Sequence, residues 1–397
     1  MGLKVCMHGV EMSPSKENVI AGGVPNSVIR LTKALYSIGI EQILITNDRK
    51  FREIHERTND FTLPWTDTRL VLVNGKYAGV NYSITYLLKI VQGIKRINME
   101  KGLDIIHGHS GHLGLIVVTE VASRFIGVPA VHTIYCPVKT KSKKYFPYRY
   151  FLRGTKKIIA ISYNIKQSLS KIGIPSDKIE VIPPIIDFSI FKPGVGGENL
   201  RDTLGTGAEF AILFLGNLTK TKGIDTVLDA LNIVKKRYPH LKLITGIELT
   251  HSGSDIRKKE ILNKIKRYNL TQNVIELGLI SNVEKVIDAV DVVVAPFQNT
   301  YYVADYPLVV LESMAVGTPV ITTKVGGIPE IITNRENGIL INPDDPVSLA
   351  YEILTLIDNP GKGKEIGKRA ASFVREKFPE KKIAEMTKQV YEAIIHG

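Results

Sequence analysis

The stretch Asp305-Tyr306-Pro307-Leu308-Val309-Val310-Leu311-Glu312-Ser313-Met314-Ala315-Val316-Gly317-Thr318-Pro319-Val320-Ile321, followed closely by Gly326-Gly327-Ile328-Pro329-Glu330, embeds one carboxylate in an apolar helix start. An ionised Glu312 in such a place is costly unless it is hydrogen-bonded, and ribose hydroxyls are suitable partners. The next apolar run, Val320 to Thr323, reads as a strand. Outward from here the same alternation fills the chain: short apolar runs bounded by Gly, Pro, Asn and Asp, separated by longer stretches of helical period, the pattern of βα units around buried parallel sheets. In the second half the strands are expected at Ala211 to Leu215, Leu241 to Thr245, Asn273 to Leu277, Val292 to Ala295, Val320 to Thr323 and Gly338 to Ile341. In the first half they fall at Leu3 to Met7, Gln42 to Thr46, Asp104 to His107, Ala130 to Ile134, Lys157 to Ile161 and Glu180 to Pro183. Val28, Leu31, Leu35 and Ile38 recur at helical spacing between the first two of these, with Gly39 as a C-terminal stop.

Between the halves, Pro183 to Glu209 holds three Pro and five Gly without a sustained period and reads as a linker. The expected organisation is a first doubly wound domain over residues 1–188, a linker over 189–208, a second doubly wound domain over 209–375 and a C-terminal helix over 376–397 that crosses back to the first domain. Composition agrees: 397 residues, 44% hydrophobic and 23% charged, are enough for two cores and unlike a disordered or fibrous chain. No run approaches the ~20 apolar residues that span a bilayer, and the N-terminus has no charged-then-apolar leader, so a cytoplasmic protein is expected, with the inner face of the cell membrane also open to it. Cys6 and Cys136 lack metal-ligand or CxxC spacing and read as reduced, buried thiols; no metal site is expected. Fifty-two Lys and Arg against 39 Asp and Glu leave a net charge of +13, which admits anionic substrates, anionic lipid and nucleic acid as partners.

Two loops carry further chemistry. Gly22-Gly23-Val24-Pro25 opens the first helix, so backbone N–H groups and the positive end of a helix dipole are available to an anion, although glycines there are also ordinary turn residues. Ala211 to Gly223 reads as strand, Gly216-Asn217 turn and Lys222 before a new helix, where a lysine can meet a diphosphate or simply be solvated.

The run from Asp305 to Glu330 strongly resembles the nucleotide-binding signature of the retaining glycosyltransferases of family 4, whose fold is GT-B: two Rossmann-like α/β domains facing a central cleft. The resemblance covers nearly the whole chain. It continues at Gly22-Gly23, Asp104-Ile105-Ile106-His107-Gly108-His109, Ile161-Ser162, Val181-Ile182-Pro183 with Asp187 and Phe191-Lys192-Pro193, and Gly216 with Lys222-Gly223. It implies a hexosyltransferase that takes a nucleotide sugar, UDP- or GDP-linked, without a cofactor or metal, and keeps the anomeric configuration. The donor is expected on the second domain and the acceptor on the first. By the resemblance Lys222 holds the diphosphate, Glu312 the ribose, and the backbone N–H groups of Val309, Val310 and Leu311 lie near the phosphates. Leu279 and Ile280 fall in the base-contacting loop, and Gly22 and Gly23 let the first domain's backbone approach the donor.

Three positions depart from the family pattern. Asn217 stands where an Arg is usual, which removes one of two charges on the leaving diphosphate. Ala304 stands where a carboxylate is usual, with Asp305 one place on as its displaced candidate. Tyr135 stands where a cleft histidine is common, and His132, three residues earlier, shares its face only if a bulge intervenes. His107 and His109, two apart on a strand end, are candidates for one face, His109 as a catalytic residue and His107 as a hydrogen-bonded core histidine. These departures leave a second reading open, a catalytically weakened sugar-nucleotide-binding subunit of a larger glycosylation complex. A sugar-nucleotide epimerase fits the motifs less well, and no nucleic-acid-reading module is recognisable. Finally, Val121 to Ser176 contains no Asp or Glu, while Lys139, Lys141, Lys143, Lys144, Arg149, Arg153, Lys156 and Lys157 are interleaved with Tyr145, Phe146, Tyr148, Tyr150 and Phe151. Such a segment suits peripheral contact with anionic membrane or capture of an acceptor phosphate, with Lys143 and Lys144 as acceptor-side candidates, and equally a solvated basic surface or a stacking surface for single-stranded nucleic acid.

Overall fold

The computed structural model describes residues 2–9, 22–47, 60–62, 69–73, 77–78, 81–82, 84–109, 113–139, 146–246, 254–301 and 303–397. The chain divides into two units, Met1–Ile185 with Phe378–Gly397, and Ile186–Lys377.

The first unit runs β1 (Lys4–His8), α1 (Gly23–Ser37), β2 (Glu41–Asn47), β3 (Asp60–Thr62), β4 (Arg69–Val73), the hairpin β5 (Tyr77–Ala78) and β6 (Asn81–Tyr82), α2 (Ile84–Lys101), β7 (Ile105–His109), α3 (Leu113–Ile126), β8 (Ala130–Ile134), α4 (Phe146–Gly154), β9 (Lys157–Ala160), α5 (Tyr163–Lys171) and β10 (Ile179–Val181). Eight of these strands form one sheet in the order β10-β9-β8-β7-β1-β2-β4-β3, parallel throughout except for β3, which runs antiparallel to β4. β7 and β8 are buried at every position, as strands covered by helices on both faces must be. α1 ends as its sequence directs: the Gly39 N–H donates to Tyr36 O and the Ile40 N–H to Leu35 O. Ser162 caps α5 by accepting the Ile165 N–H at 3.1 Å, which gives the Ile161-Ser162 pair a structural function.

The second unit runs α6 (Leu200–Thr203), β11 (Ala211–Leu215), α7 (Ile224–Val234), β12 (Lys242–Gly246), α8 (Ser254–Arg267), β13 (Val274–Glu276), α9 (Val283–Asp288), β14 (Val292–Ala295), α10 (Leu308–Val316), β15 (Val320–Thr323), α11 (Ile328–Ile331), β16 (Ile339–Ile341), α12 (Pro346–Asp358) and α13 (Pro360–Lys377). Its six-stranded sheet has the order β13-β12-β11-β14-β15-β16, and every pairing is parallel. The segment read as a linker is held by hydrogen bonds. Asp187 opens it by accepting the Ser189 N–H, Asp288 accepts the N–H of Gly197 at 2.8 Å, and Arg201 of α6 donates to the carbonyls of Gly207 and Glu209. The last helix, α14 (Glu380–His396), belongs to the first unit and packs on α1.

Every strand expected from the apolar runs is present. β3 and β4 were not expected; they extend the first sheet past β2. Cys6 is buried with its thiol pushed up to about 12 by burial, whereas Cys136 is only half-buried, and neither is in a disulfide among the described residues.

Candidate functional site

In an open parallel sheet the ligand crevice lies outside the C-terminal strand ends where the winding reverses. The winding of the second unit reverses between β11 and β14, and the motif loops leave those two strands. After β11 the backbone turns at Gly216, whose N–H donates to Gly246 O at the end of β12. The aliphatic stem of Lys222 lies over Gly216, so that a Cβ there would meet Lys222 Cδ at 3.2 Å, and its Nζ sits 5.1 Å from the centre of the Phe297 ring beyond β14. Gly223 has φ of 80° and a Cβ on it would strike the Pro296 carbonyl oxygen, so only glycine fits where the loops after β11 and β14 touch. Ile280 packs beside Gly246 and Leu215 at the same strand ends, with Leu279 exposed next to it. Lys222, Gly216 and Ile280, three of the residues singled out in the sequence, are therefore gathered at one crevice.

Glu312 sits in α10 and is 8% exposed. Of the first four N–H groups of that helix, those of Val310 and Leu311 donate to Pro307 O at 3.0 and 3.3 Å. The donors that the helix itself leaves unmatched are those of Leu308 and Val309. Val309, named from the resemblance, is one of these two, while the N–H groups of Val310 and Leu311 are engaged within the helix's own first turn. Asp305 is 0% exposed and its Oδ1 accepts the Thr300 hydroxyl at 2.6 Å; a Cβ on Gly326, which has φ of 55°, would strike both partners. Asp305 thus lies close under Gly326 and presents no surface of its own. Glu330, the other acid of the motif, accepts the Tyr306 hydroxyl at 2.7 Å. Asn217 Oδ1 accepts the Thr219 hydroxyl at 2.7 Å and the Thr219 N–H at 3.3 Å, a local turn motif.

In the first unit the winding reverses between β1 and β7. Gly22 ends the loop after β1, and its carbonyl accepts both the Asn26 N–H and Asn26 Nδ2, while Gly23 opens α1 with open space where a side chain would be. The residues between Gly9 and Gly22 lie outside the described residues. His107 and His109 share a face of β7 with ring centres 3.8 Å apart. His107 Nδ1 and the Tyr391 hydroxyl of α14 share a 2.7 Å hydrogen bond, and Nε2 is 2.8 Å from Thr133 Oγ1. His109 Nδ1 lies 3.1 Å from the Tyr135 hydroxyl, while its Nε2 is buried without a hydrogen-bond partner among the described residues. Burial lowers His107 well below the usual imidazole range and takes His109 and His8 down to about 3, each helped by neighbouring histidines. Burial likewise raises Tyr135 and Tyr391. All three rings are therefore neutral at pH 7, and His109 can offer Nε2 as a hydrogen-bonding group but not as a cation.

The bulge that would unite His132 with Tyr135 does not exist, because β8 keeps a regular register with both β7 and β9. His132 faces the other side of the sheet, where its Nε2 lies 3.1 Å from Glu120 Oε1, and Thr155 donates to the same carboxylate oxygen. It is a core residue. Lys143 and Lys144 lie outside the described residues. No local pattern signals Thr133, Thr300, Phe297 or Tyr391, since their relevance depends on which strands and helices become neighbours. Among the described residues no group of His, Cys, Asp and Glu is arranged to hold a metal ion.

Two family models match the two halves: glycosyltransferase family 4 over residues 21–189, and glycosyl transferases group 1 over residues 198–373. The D-inositol 3-phosphate glycosyltransferase of Paenarthrobacter aurescens is 27% identical, over 95% of this chain and 94% of that protein. An uncharacterized glycosyltransferase of Methanocaldococcus jannaschii is 30% identical over 59% of each chain. Among solved structures, sucrose-phosphate synthase from Thermosynechococcus elongatus superposes with a TM-score of 0.82 at 21% identity, covering 98% of each chain. HepE of Anabaena, crystallised with UDP and glucose, superposes with a TM-score of 0.77 at 20% identity, covering 98% of this chain and 99% of that one.

Proposed function

Because the chain belongs to the group 1 glycosyl transferases of family 4 and has the GT-B fold, we propose that it moves a hexose-type sugar from a UDP- or GDP-linked donor to an anionic or lipid-linked acceptor, with retention of configuration and without a metal. The carrying observation is the meeting of Lys222, Gly216 and Ile280 at the β11/β14 reversal, where the adjoining sequence supplies α10 and its Glu312. Lys222 and the unmatched N–H groups at the start of α10 neutralise the leaving diphosphate, which is where negative charge develops as the glycosidic bond breaks. Glu312 accepts the ribose hydroxyls, and Leu279 and Ile280 flank the base. The acceptor belongs to the first unit, with His109 Nε2 as a neutral hydrogen-bonding group at the β1/β7 reversal. The name of the Paenarthrobacter relative, which places a phosphorylated polyol among the acceptors in this family, supports an anionic acceptor.

A second reading, a sugar-nucleotide-binding subunit with little turnover, draws on one observation: Asn217 and Asp305, at two of the departures from the family pattern, are both tied to neighbouring hydroxyls. The two readings separate on one assay, in which UDP- and GDP-sugars are incubated with and without phosphorylated polyols and freed nucleotide is measured. Transfer supports the first reading, and NMR of the new anomeric centre then tests retention. Donor binding with no nucleotide released from any donor supports the second.

A further inference from the structure

α2, α3 and α4 lie side by side on one face of the first sheet, and each turns two or three large apolar side chains outward. On α2 the core side holds Ile90, Ile94 and Ile97, while Ile84, Leu88 and Met99 stand on the opposite side at i, i+4 and i+15. α3 exposes Val121 and Phe125, and α4 exposes Phe146 and Tyr150, again i and i+4. These seven side chains are between 45% and 77% exposed. They form a continuous surface because the helices touch on their outer edges: Lys95 Nζ of α2 lies 5.2 Å from the Phe125 ring of α3, and Arg124 of α3 reaches Gly154 at the end of α4, where a Cβ would lie 2.7 Å from Nη2.

The charge on this surface is mainly positive. α2 carries Lys89, Lys95, Arg96 and Lys101, and the other two helices add Arg124, Arg149 and Arg153. Against them stand Glu100, ion-paired to Arg96 at 3.6 Å, and Glu120, which is buried against His132 and Thr155. An exposed apolar patch of this extent marks an interaction site, and a border of cations identifies the partner by complementarity. We propose that the outer face of α2, α3 and α4 docks on a bilayer containing anionic lipid, with the aromatic and aliphatic side chains entering the headgroup boundary and the Lys and Arg side chains snorkelling to the phosphates. No residue of this face belongs to the donor site, so the inference goes beyond the transferase reading and does not depend on it.

The test is flotation of the full-length protein with vesicles of phosphatidylcholine alone and with about one third phosphatidylglycerol, at low and physiological salt. Wild type is expected to float with the anionic vesicles only, less so as salt rises. The variant with Leu88→Gln, Phe125→Gln and Tyr150→Gln, all surface positions, is expected to lose about tenfold in partitioning while melting as wild type does. The variant with Lys95→Gln, Arg124→Gln and Arg153→Gln should lose a similar amount and most of the salt dependence. The inference is overturned if wild type ignores anionic vesicles, if the apolar variant floats as wild type does, or if sedimentation shows a dimer that the apolar variant dissolves, which would assign the face to a second copy. Nucleotide binding measured on the same samples keeps the two claims apart, since failure to bind any donor leaves the flotation result standing.

Discussion

Glu312 and Lys222 are the side chains whose removal distinguishes a nucleotide-sugar site from an ordinary polar loop. Glu312→Ala removes a nearly buried acceptor, and a hydrogen bond to a charged group is worth about 1.5 to 3 kcal/mol, so calorimetry should find nucleoside diphosphate affinity reduced by about one to two orders of magnitude. Glu330→Ala should do less, because that carboxylate accepts from Tyr306. Lys222→Ala should lower turnover and diphosphate affinity while sparing the free nucleoside, since its charge matters to the phosphates; equal losses for nucleoside and diphosphate would remove it from that role. Restoring Arg at Asn217 is less simple than the sequence suggests. The guanidinium gains a bidentate partner in a diphosphate, but the substitution also breaks the turn that Asn217 makes with Thr219. Higher diphosphate affinity with a slightly lowered melting temperature is the expected pair of results. Glu312 was legible because an acid in an apolar helix start calls for a partner. The use of the Val310 and Leu311 N–H groups within their own first turn was not legible, because a tight first turn leaves no mark on composition.

The strands that read as continuous apolar runs, such as Ala211–Leu215 and Val292–Ala295, are the central ones of the second sheet and almost wholly buried. Beyond β2 the sheet continues through β4, Arg-Leu-Val-Leu-Val, to the antiparallel edge strand β3, Asp-Phe-Thr, which is too short and polar to carry a strand signal. The pairing of α14 with β7 through Tyr391 and His107 joins residues 284 apart in the chain, so no local pattern announces it. Tyr391→Phe leaves His107 Nδ1 buried without a partner, at a cost of about 1 to 3 kcal/mol. A melting temperature several degrees lower is expected, and an unchanged one would show the bond to be idle. The neutral histidines of β1 and β7 also set the acid limit. His8 and His109 hold folded values of about 3 and His107 is lowered well below the usual range, whereas the unfolded chain takes up those protons near pH 6.5. The unfolded state therefore binds more protons between about pH 6.5 and 3, so their contribution is complete above that window and is lost as pH falls through it, at about 1.4 kcal/mol per pH unit per histidine. Urea titrations at neutral and mildly acidic pH should show this slope, and His109→Gln should flatten it by one histidine's share.

At the scale of the molecule, two doubly wound units each place their motif loops where the winding of the sheet reverses, the place where open parallel sheets bind ligands. The net charge of +13 belongs to the same account, since the donor and the proposed acceptors are anionic. The fold class and the meeting of Gly216, Lys222 and Ile280 at one crevice were readable in advance from the motifs. The acceptor side was not, because the first unit's histidines and tyrosines acquire their partners only when β7, β8 and α14 come together. The most direct measurement is release of UDP or GDP from a panel of nucleotide sugars by wild-type protein and by Lys222→Ala, with a phosphorylated polyol present. The account predicts that one donor is turned over by wild type and that the variant is slower by at least about a hundredfold, as loss of a charge on a leaving diphosphate requires. Turnover that is equal in the two proteins, or wild-type protein that neither binds nor cleaves any donor, would contradict it.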